Sequence, residues 1–279
     1  MAEPSQIYAP GMLDGRVAIV TGGGTGIGRA TARELVACGA SVVIAGRRAE
    51  VLEEAAGDIG SGCAWLASDV RDPAECARIV EFAVSRFGRL DVLVNNAGGQ
   101  YFVPAESIVL KGFQAVTRLN VGGTLAMSMA AYEGAFRDGG GGTVVNVTLT
   151  PHHGLAGMTH SSAARAAVEG LTRELASLWE PDGVTVCAVA LGVFLTDALQ
   201  KYPEPVRQGF GNVVPLGRLG RVEEAAWLMA LLASPLGRRF NGSVVSIDGA
   251  RDNWFGPWPP EAITGGGGDV PTEERRPRR

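Results

Sequence analysis

The 279-residue chain is 46% hydrophobic and 19% charged, with a formal net charge of −4, so it carries enough apolar material for a large core and is not a disordered polymer. The negative balance removes the basic field that a general nucleic-acid binder needs to displace phosphate counterions, and no nucleic-acid partner is expected. No run approaches the roughly 18 apolar residues of a membrane span, and the stretch from Met1 to Leu13 lacks a basic-then-apolar leader pattern, so no membrane partner and a cytoplasmic location are expected.

The first β-branched run, 17–21, leads into Gly22-Gly23-Gly24-Thr25-Gly26-Ile27-Gly28, and helical spacing of apolar residues follows over 27–38. Glycines in such a turn let the backbone approach a pyrophosphate, whose charge is favoured by the N–H groups and dipole of the new helix. Gly22, Thr25, Gly26, Ile27 and Gly28 are therefore candidate cofactor-binding residues. The second run, 42–45, is followed by Gly46-Arg47-Arg48. A carboxylate at such a strand end would bond ribose hydroxyls and repel a 2′-phosphate, whereas an arginine accommodates the phosphate; Gly46 and Arg47 therefore favour NADP(H), with NAD(H) kept open. The third run, 63–68, precedes Asp69, a candidate for the adenine amino group, and Val70, and Asp72-Pro73 opens a helix over 73–87. The fourth, 92–95, ends in Asn95-Asn96-Ala97-Gly98-Gly99, which would place Asn96, Ala97 and Gly98 along the cofactor groove. A glycine loop precedes the fifth run, 144–148; a helix is predicted over 163–178, and the last two runs are 184–190 and 244–247.

Most of these seven strands are apolar on both faces, as in a parallel sheet covered on both sides. The expected fold class is α/β, a doubly wound Rossmann fold with a seven-stranded parallel sheet in three αβα layers. One domain is expected over 1–264, with a disordered Gly/Arg-rich tail over 265–279. Trp254, Phe255 and Trp258 form an apolar cluster read either as a substrate lid or as a subunit-contact arm. Cys38, Cys63, Cys76 and Cys187 are scattered and read as free buried thiols, and with three histidines, all read as loop residues, no metal site is expected.

The Thr-Gly-x3-Gly-x-Gly run, Ser68-Asp69-Val70, Asn95-Asn96-Ala97-Gly98, Asn120 in Leu119-Asn120-Val121, and Ser246-Ile247-Asp248-Gly249 resemble, in order and spacing, the short-chain dehydrogenases/reductases. The resemblance spans about residues 10–250. It implies a nicotinamide dinucleotide cofactor, with Val193 and Thr196 also on the nicotinamide side, and a homotetramer or homodimer built on helices over 111–136 and 161–179.

Most of that family performs carbonyl/alcohol chemistry with a strand serine and a Tyr-x-x-x-Lys helix motif, the Lys lowering the Tyr pKa. Here Ser161 stands at the Tyr position, Arg165 at the Lys position and Leu149 at the Ser position, with Thr148 and Thr150 flanking it on the opposite strand face. Arginine can hold a ribose hydroxyl and supply positive potential but cannot pass protons. Of the four tyrosines only Tyr101, just after the cofactor loop, is placed near the nicotinamide by this reading.

Reducing a carbonyl needs a proton delivered to oxygen, whereas reducing the double bond of an α,β-unsaturated thioester makes an enolate and needs oxyanion stabilisation above all. Asn120, Ser161 and Arg165 are the catalytic candidates for the second reaction, Arg165 also facing the cofactor, and Tyr101, Thr148 and Thr150 the substrate-binding ones. The opening Tyr8-Ala9-Pro10-Gly11, Gly98-Gly99-Gln100, His160-Ser161-Ser162-Ala163-Ala164-Arg165 and Asp252-Asn253-Trp254 resemble the peroxisomal trans-2-enoyl-CoA reductase branch, with 2,4-dienoyl-CoA reductases related. That resemblance implies an acyl-CoA-like substrate and NADPH. Two other readings stay open: a ketoreductase or alcohol dehydrogenase with a non-standard proton donor, Tyr101 or one of His152, His153 and His160 as general acid, with bacterial relatives of the branch assigned to terpenoid alcohol and aldehyde oxidation; and a dinucleotide-binding sensor or scaffold without turnover.

Overall fold

The computed structural model describes residues 4–253 apart from 203, 205, 206, 208 and 210–212; the tail over 265–279 and the aromatic residues Trp254, Phe255 and Trp258 lie outside the described residues. Seven strands, β1 (Val17–Thr21), β2 (Ser41–Gly46), β3 (Cys63–Ala67), β4 (Val92–Asn95), β5 (Gly142–Leu149), β6 (Val184–Leu191) and β7 (Val244–Ile247), form one parallel sheet in the order β3-β2-β1-β4-β5-β6-β7. The order reverses between β1 and β4, and in such sheets the crevice outside the strands' carboxyl ends at that point receives the ligand.

Helices among the described residues include α1 (Gly26–Ala37), α2 (Ala49–Ile59), α3 (Pro73–Phe87), α4 (Leu110–Thr117), α5 (Gly123–Ala131), the single turn α6 (Arg137–Gly139), α7 (Thr159–Trp179) and α8 (Val222–Ala233). Helix α3 shows why the local sequence starts and stops it: Asp72 caps the backbone N–H of Ala74, Pro73 sits where no N–H is needed, and Gly88 ends it with φ +87°. One core packs Leu35, Ile44, Leu52, Met229 and Leu232 on one side of the sheet, and a second packs Ile79, Leu93, Met127, Phe136 and Trp179 on the other, which gives the three layers.

The predicted helix over 111–136 is broken by two π turns, Arg118–Gly122 and Tyr132–Phe136, each inserting a residue that a 3.6 periodicity does not register. Helix α7 begins earlier than expected, so His160 is not in a loop: it lies in the first helical turn, fully buried, its ring tilted against Tyr101 at 4.3 Å between centroids. A buried polar string crosses the second core, from Ser128 Oγ through Asn95 Nδ2 (2.9 Å) and Asn146 Oδ1 (2.9 Å) to Thr172 Oγ1 on α7 (3.0 Å). The four cysteines are free, with Cys63 only partly buried, and burial pushes Cys63 and Cys187 up to about 12 and Cys38 and Cys76 up to about 11, which suppresses thiolate chemistry. Among the described residues no helix is long and apolar enough to cross a membrane, and no His/Cys/Asp/Glu group is arranged to hold a metal ion.

Candidate active site

A cleft of about 1100 Å³ runs along the carboxyl ends of the strands. Its floor is stapled across the switch point. Thr21 Oγ1 accepts from the backbone N–H of Asn96 (3.1 Å) and Ala97 (3.0 Å), and Asn96 Nδ2 donates back to the carbonyls of Thr21 (2.9 Å) and Gly22 (3.3 Å). Glycine is obligatory where these loops meet: Gly22 has φ +66°, and a Cβ on Gly28 would overlap the Gly22 carbonyl oxygen. Gly22, Thr25, Gly26, Ile27 and Gly28 line the cleft, and Thr25 supplies no side-chain cap to α1, which leaves the first-turn N–H groups to an anion. Thr196 arches over this turn, its methyl 3.5 Å from where a Cβ on Gly26 would stand, and Val193 lies beside it on the wall.

At the β2 end Arg47 and Arg48 are exposed and line the cleft, and Gly46 places no side chain there. Asp69 also lines the cleft, but its carboxylate is gripped by Arg71, whose Nε stands 2.9 and 3.0 Å from the two oxygens; that hydrogen-bonded guanidinium pulls the carboxyl down to about 2. Val70 is buried against Gly123, which has no room for a side chain.

Deeper in the cleft, Gly98 is pressed against Arg165 Nη2 and Asn120 Oδ1, 2.5 and 2.7 Å from where its Cβ would stand. Asn120, at the π turn between α4 and α5, is fully buried behind this wall: Nδ2 donates to the carbonyls of Gly99 (2.8 Å) and Val116 (2.8 Å), and Oδ1 accepts from Gly99 N–H (3.2 Å). Arg165, one turn along α7 from Ser161, donates Nη1 to the Val147 carbonyl (2.6 Å), while Nε is buried without a partner. Burial lowers Arg165 to about 10, so it remains a cation at neutral pH, and among the described residues no carboxylate pairs with it.

Ser161 is buried and donates to Gln100 Oε1 (2.6 Å), and Gln100 Nε2 donates to the phenol oxygen of Tyr202 (3.0 Å); all three residues line the cleft. Tyr202 is one of the three tyrosines, with Tyr8 and Tyr132, that the sequence does not place near the nicotinamide. Tyr101 lines the cleft as well, but it is 40% exposed and its hydroxyl rests over Gly112, where a Cβ would overlap it, so the phenol points toward α4 and not toward Ser161. Thr150 lines the cleft with a buried hydroxyl that has no partner, ahead of a cis bond to Pro151. Thr148 Oγ1 donates to Glu169 Oε1 on α7 (3.1 Å). The structure thus gathers Ser161, Arg165, Thr148 and Thr150 at one end of the cleft and the glycine turn, Arg47 and Asp69 at the other, with Asn120 behind the wall.

A family model described as enoyl-(acyl carrier protein) reductase matches residues 22–250. The chain is 35% identical to a peroxisomal 2,4-dienoyl-CoA reductase [(3E)-enoyl-CoA-producing] from Danio rerio over 89% of this chain and 85% of that one. It is 36% identical to a probable 2,4-dienoyl-CoA reductase [(2E)-enoyl-CoA-producing] from Bacillus subtilis over 88% and 100%. A solved structure of a citronellol catabolism dehydrogenase from Pseudomonas aeruginosa PAO1 matches at 39% identity and TM-score 0.79, covering 88% of this chain and 98% of that one. The protein belongs to the short-chain dehydrogenase/reductase family.

Oxidoreductases of the short-chain dehydrogenase/reductase family use a nicotinamide dinucleotide, and the cleft fits one. The glycine turn admits a pyrophosphate, and the buried, unpartnered Nε of Arg165 offers a donor at the other end. Against the family's Tyr and Lys, this short-chain dehydrogenase/reductase presents a buried hydroxyl and a buried group that is a cation at neutral pH. That pair can hold a developing oxyanion, but its guanidinium cannot cycle a proton.

Proposed function

We propose that the protein is an NADP(H)-dependent reductase of the C=C bond of an α,β-unsaturated acyl thioester of the trans-2-enoyl-CoA type. The observation that carries this reading is the buried Ser161–Arg165 pair, which supplies oxyanion stabilisation without an ionisable phenol at its centre. The bound dinucleotide supplies a hydride for Cβ. Negative charge then builds on the thioester oxygen; Arg165 holds it electrostatically, and the Ser161 hydroxyl turns from Gln100 to donate to it. Asn120 acts from behind the wall by fixing Gly99 and so the loop that carries Gln100. Thr150, with its unpartnered hydroxyl, and Tyr101 line the acyl path. The relatives named 2,4-dienoyl-CoA reductase support an acyl-CoA-like substrate. Gly22, Thr25, Gly26, Ile27 and Gly28 cradle the pyrophosphate, Arg47 takes the 2′-phosphate, Asp69 and Val70 flank the adenine, and Asn96, Ala97, Gly98, Val193 and Thr196 flank the ribose and nicotinamide.

The test is dinucleotide oxidation, followed by absorbance, with crotonyl-, hexenoyl- and decenoyl-CoA against a panel of ketones and aldehydes. Turnover of enoyl-CoAs with NADPH is expected. Turnover confined to carbonyls overturns the reading in favour of a ketoreductase or alcohol dehydrogenase, an alternative supported by Tyr202 in the cleft and by the dehydrogenase name of the Pseudomonas relative. Tight dinucleotide binding without any turnover would favour a sensor or scaffold.

We further propose a homotetramer or homodimer joined through α4, α5 and α7, which expose Leu110, Leu125, Met129 and Leu178. Size-exclusion chromatography with light scattering is expected to give two or four times the chain mass, and a clean monomer would overturn this assembly. A cytoplasmic location is part of the same reading.

A further inference from the structure

His152, in the β5–α7 connection, is held between two carboxylates. Its Nε2 lies 2.9 Å from Glu169 Oε1, its Nδ1 contacts Asp252 Oδ2, and its backbone N–H donates to Asp252 Oδ1 at 2.6 Å. A neutral imidazole has one N–H and would turn a lone pair on one of these carboxylates, whereas the imidazolium donates to both. Glu169 is buried, and the oxygen that meets His152 also accepts from Thr148. Thr148 borders the cleft, and the His152 side chain is 36% exposed. A continuous hydrogen-bonded line therefore runs from solvent, through His152 and Glu169, to the hydroxyl of Thr148, a residue that borders the cleft.

We propose that His152, Glu169 and Thr148 form a proton-delivery line that supplies the Cα proton of the reduced thioester. This inference rests on the enoyl-thioester reading. Hydride from the nicotinamide dinucleotide forms the new C–H bond at Cβ and leaves an enolate. His152 passes its Nε2 proton to Glu169 Oε1, which becomes a donor to Thr148 Oγ1, and the Thr148 hydrogen is freed to turn into the cleft. The Thr148 O–H bond then breaks as the Cα–H bond forms, the Glu169 proton restores the hydroxyl, and His152 regains its proton from water. One hydride and one proton are consumed, and the enolate becomes the saturated thioester. The line supplies what Arg165 cannot, since a guanidinium does not deprotonate.

The charged and titratable groups around His152 agree with its holding a proton. Glu169 faces it from α7, with Arg173 3.7 Å from the other Glu169 oxygen; Asp252 faces it from the 3₁₀ turn Arg251–Asn253, where Asp248 accepts from the Asp252 N–H; and His153 lies 3.8 Å from Asp252. Burial alone would lower the His152 pKa, but the hydrogen bond to Asp252 and the charge of Glu169 outweigh it, and the net shift is upward from 6.5.

The test uses the full chain with NADPH and an enoyl-CoA over pH 5.5 to 9. A donor must be protonated, so wild-type kcat is expected to fall on the alkaline side through the His152 titration, above 6.5. His152→Gln is expected to lower kcat at pH 7 by about tenfold or more, to remove that limb, and to recover on addition of imidazole. Thr148→Val, which keeps the side-chain shape, is expected to lose kcat similarly without imidazole rescue, and the histidine side-chain NMR titration in Glu169→Gln is expected to move to lower pH. A His152→Gln variant that melts like the wild type and keeps its kcat and alkaline limb overturns the delivery line. A wild-type enzyme inert toward enoyl-CoA overturns the parent reading instead, so the two failures are distinguishable.

Discussion

Arg165→Ala is expected to lower kcat/KM for an enoyl-CoA by about 100-fold or more, the loss seen when a preorganised oxyanion donor is removed from a dry site. The side chain is buried, charged and anchored by one bond to the Val147 carbonyl, so its remaining donors face the end of the cleft that also holds Ser161. Water entering the vacated space would hydrate a developing enolate but would have to reorganise to do so. Arg165→Lys keeps a cation and is expected to recover most of the activity, whereas a neutral Arg165→Gln should resemble alanine. Steady-state kinetics together with dinucleotide titration of each variant separates a lost transition-state contact from lost cofactor affinity. Unchanged turnover in Arg165→Ala would remove Arg165 from the reaction.

Arg47→Ala is expected to weaken NADPH by about 10- to 100-fold while leaving NADH little changed, as a hydrogen bond to a charged group contributes roughly 1.5–3 kcal/mol. Gly46 places no carboxylate at the β2 end, and Arg47 is exposed there, free to meet a 2′-phosphate. Because that position is solvated, the selectivity should shrink as salt is raised. Fluorescence titrations with both dinucleotides at two ionic strengths measure this directly, and an equal loss for both would remove the phosphate-recognition argument.

What was legible in the sequence is what local chemistry encodes. Strands apolar on both faces announced a covered parallel sheet, and all seven observed strands overlap the predicted runs. Gly22 and Gly28 were legible because the first has φ +66° and a Cβ on the second would overlap a backbone carbonyl, so neither place suits a side chain. The π turn carrying Asn120 was not, because one inserted residue leaves the apolar periodicity almost unchanged. His160 was read outside the helix because the predicted helical pattern began only at 163, whereas the chain enters α7 four residues earlier. Tyr202 is brought to Gln100 across 102 positions, and His152 to Asp252 across 100. Such meetings depend on the crossover topology, and no pattern within a window of the sequence carries them. The one signal for Tyr202 was its place shortly after Thr196, on the side of the sheet already assigned to the nicotinamide.

The string from Ser128 through Asn95 and Asn146 to Thr172 has a consequence for how α7 is seated. An all-apolar contact between α7 and the sheet would tolerate sliding or rotation at small cost, since methyl groups pack against many neighbours. A chain of dry amides and hydroxyls permits few such shifts, because displacing Thr172 leaves Asn146 with an unsatisfied donor in a water-free interior. It acts as an index pin, locking the rotation of α7 two turns beyond Arg165. Ser161, Arg165 and Glu169 ride on that same helix, so their aim is set from beneath, by residues that never meet a ligand.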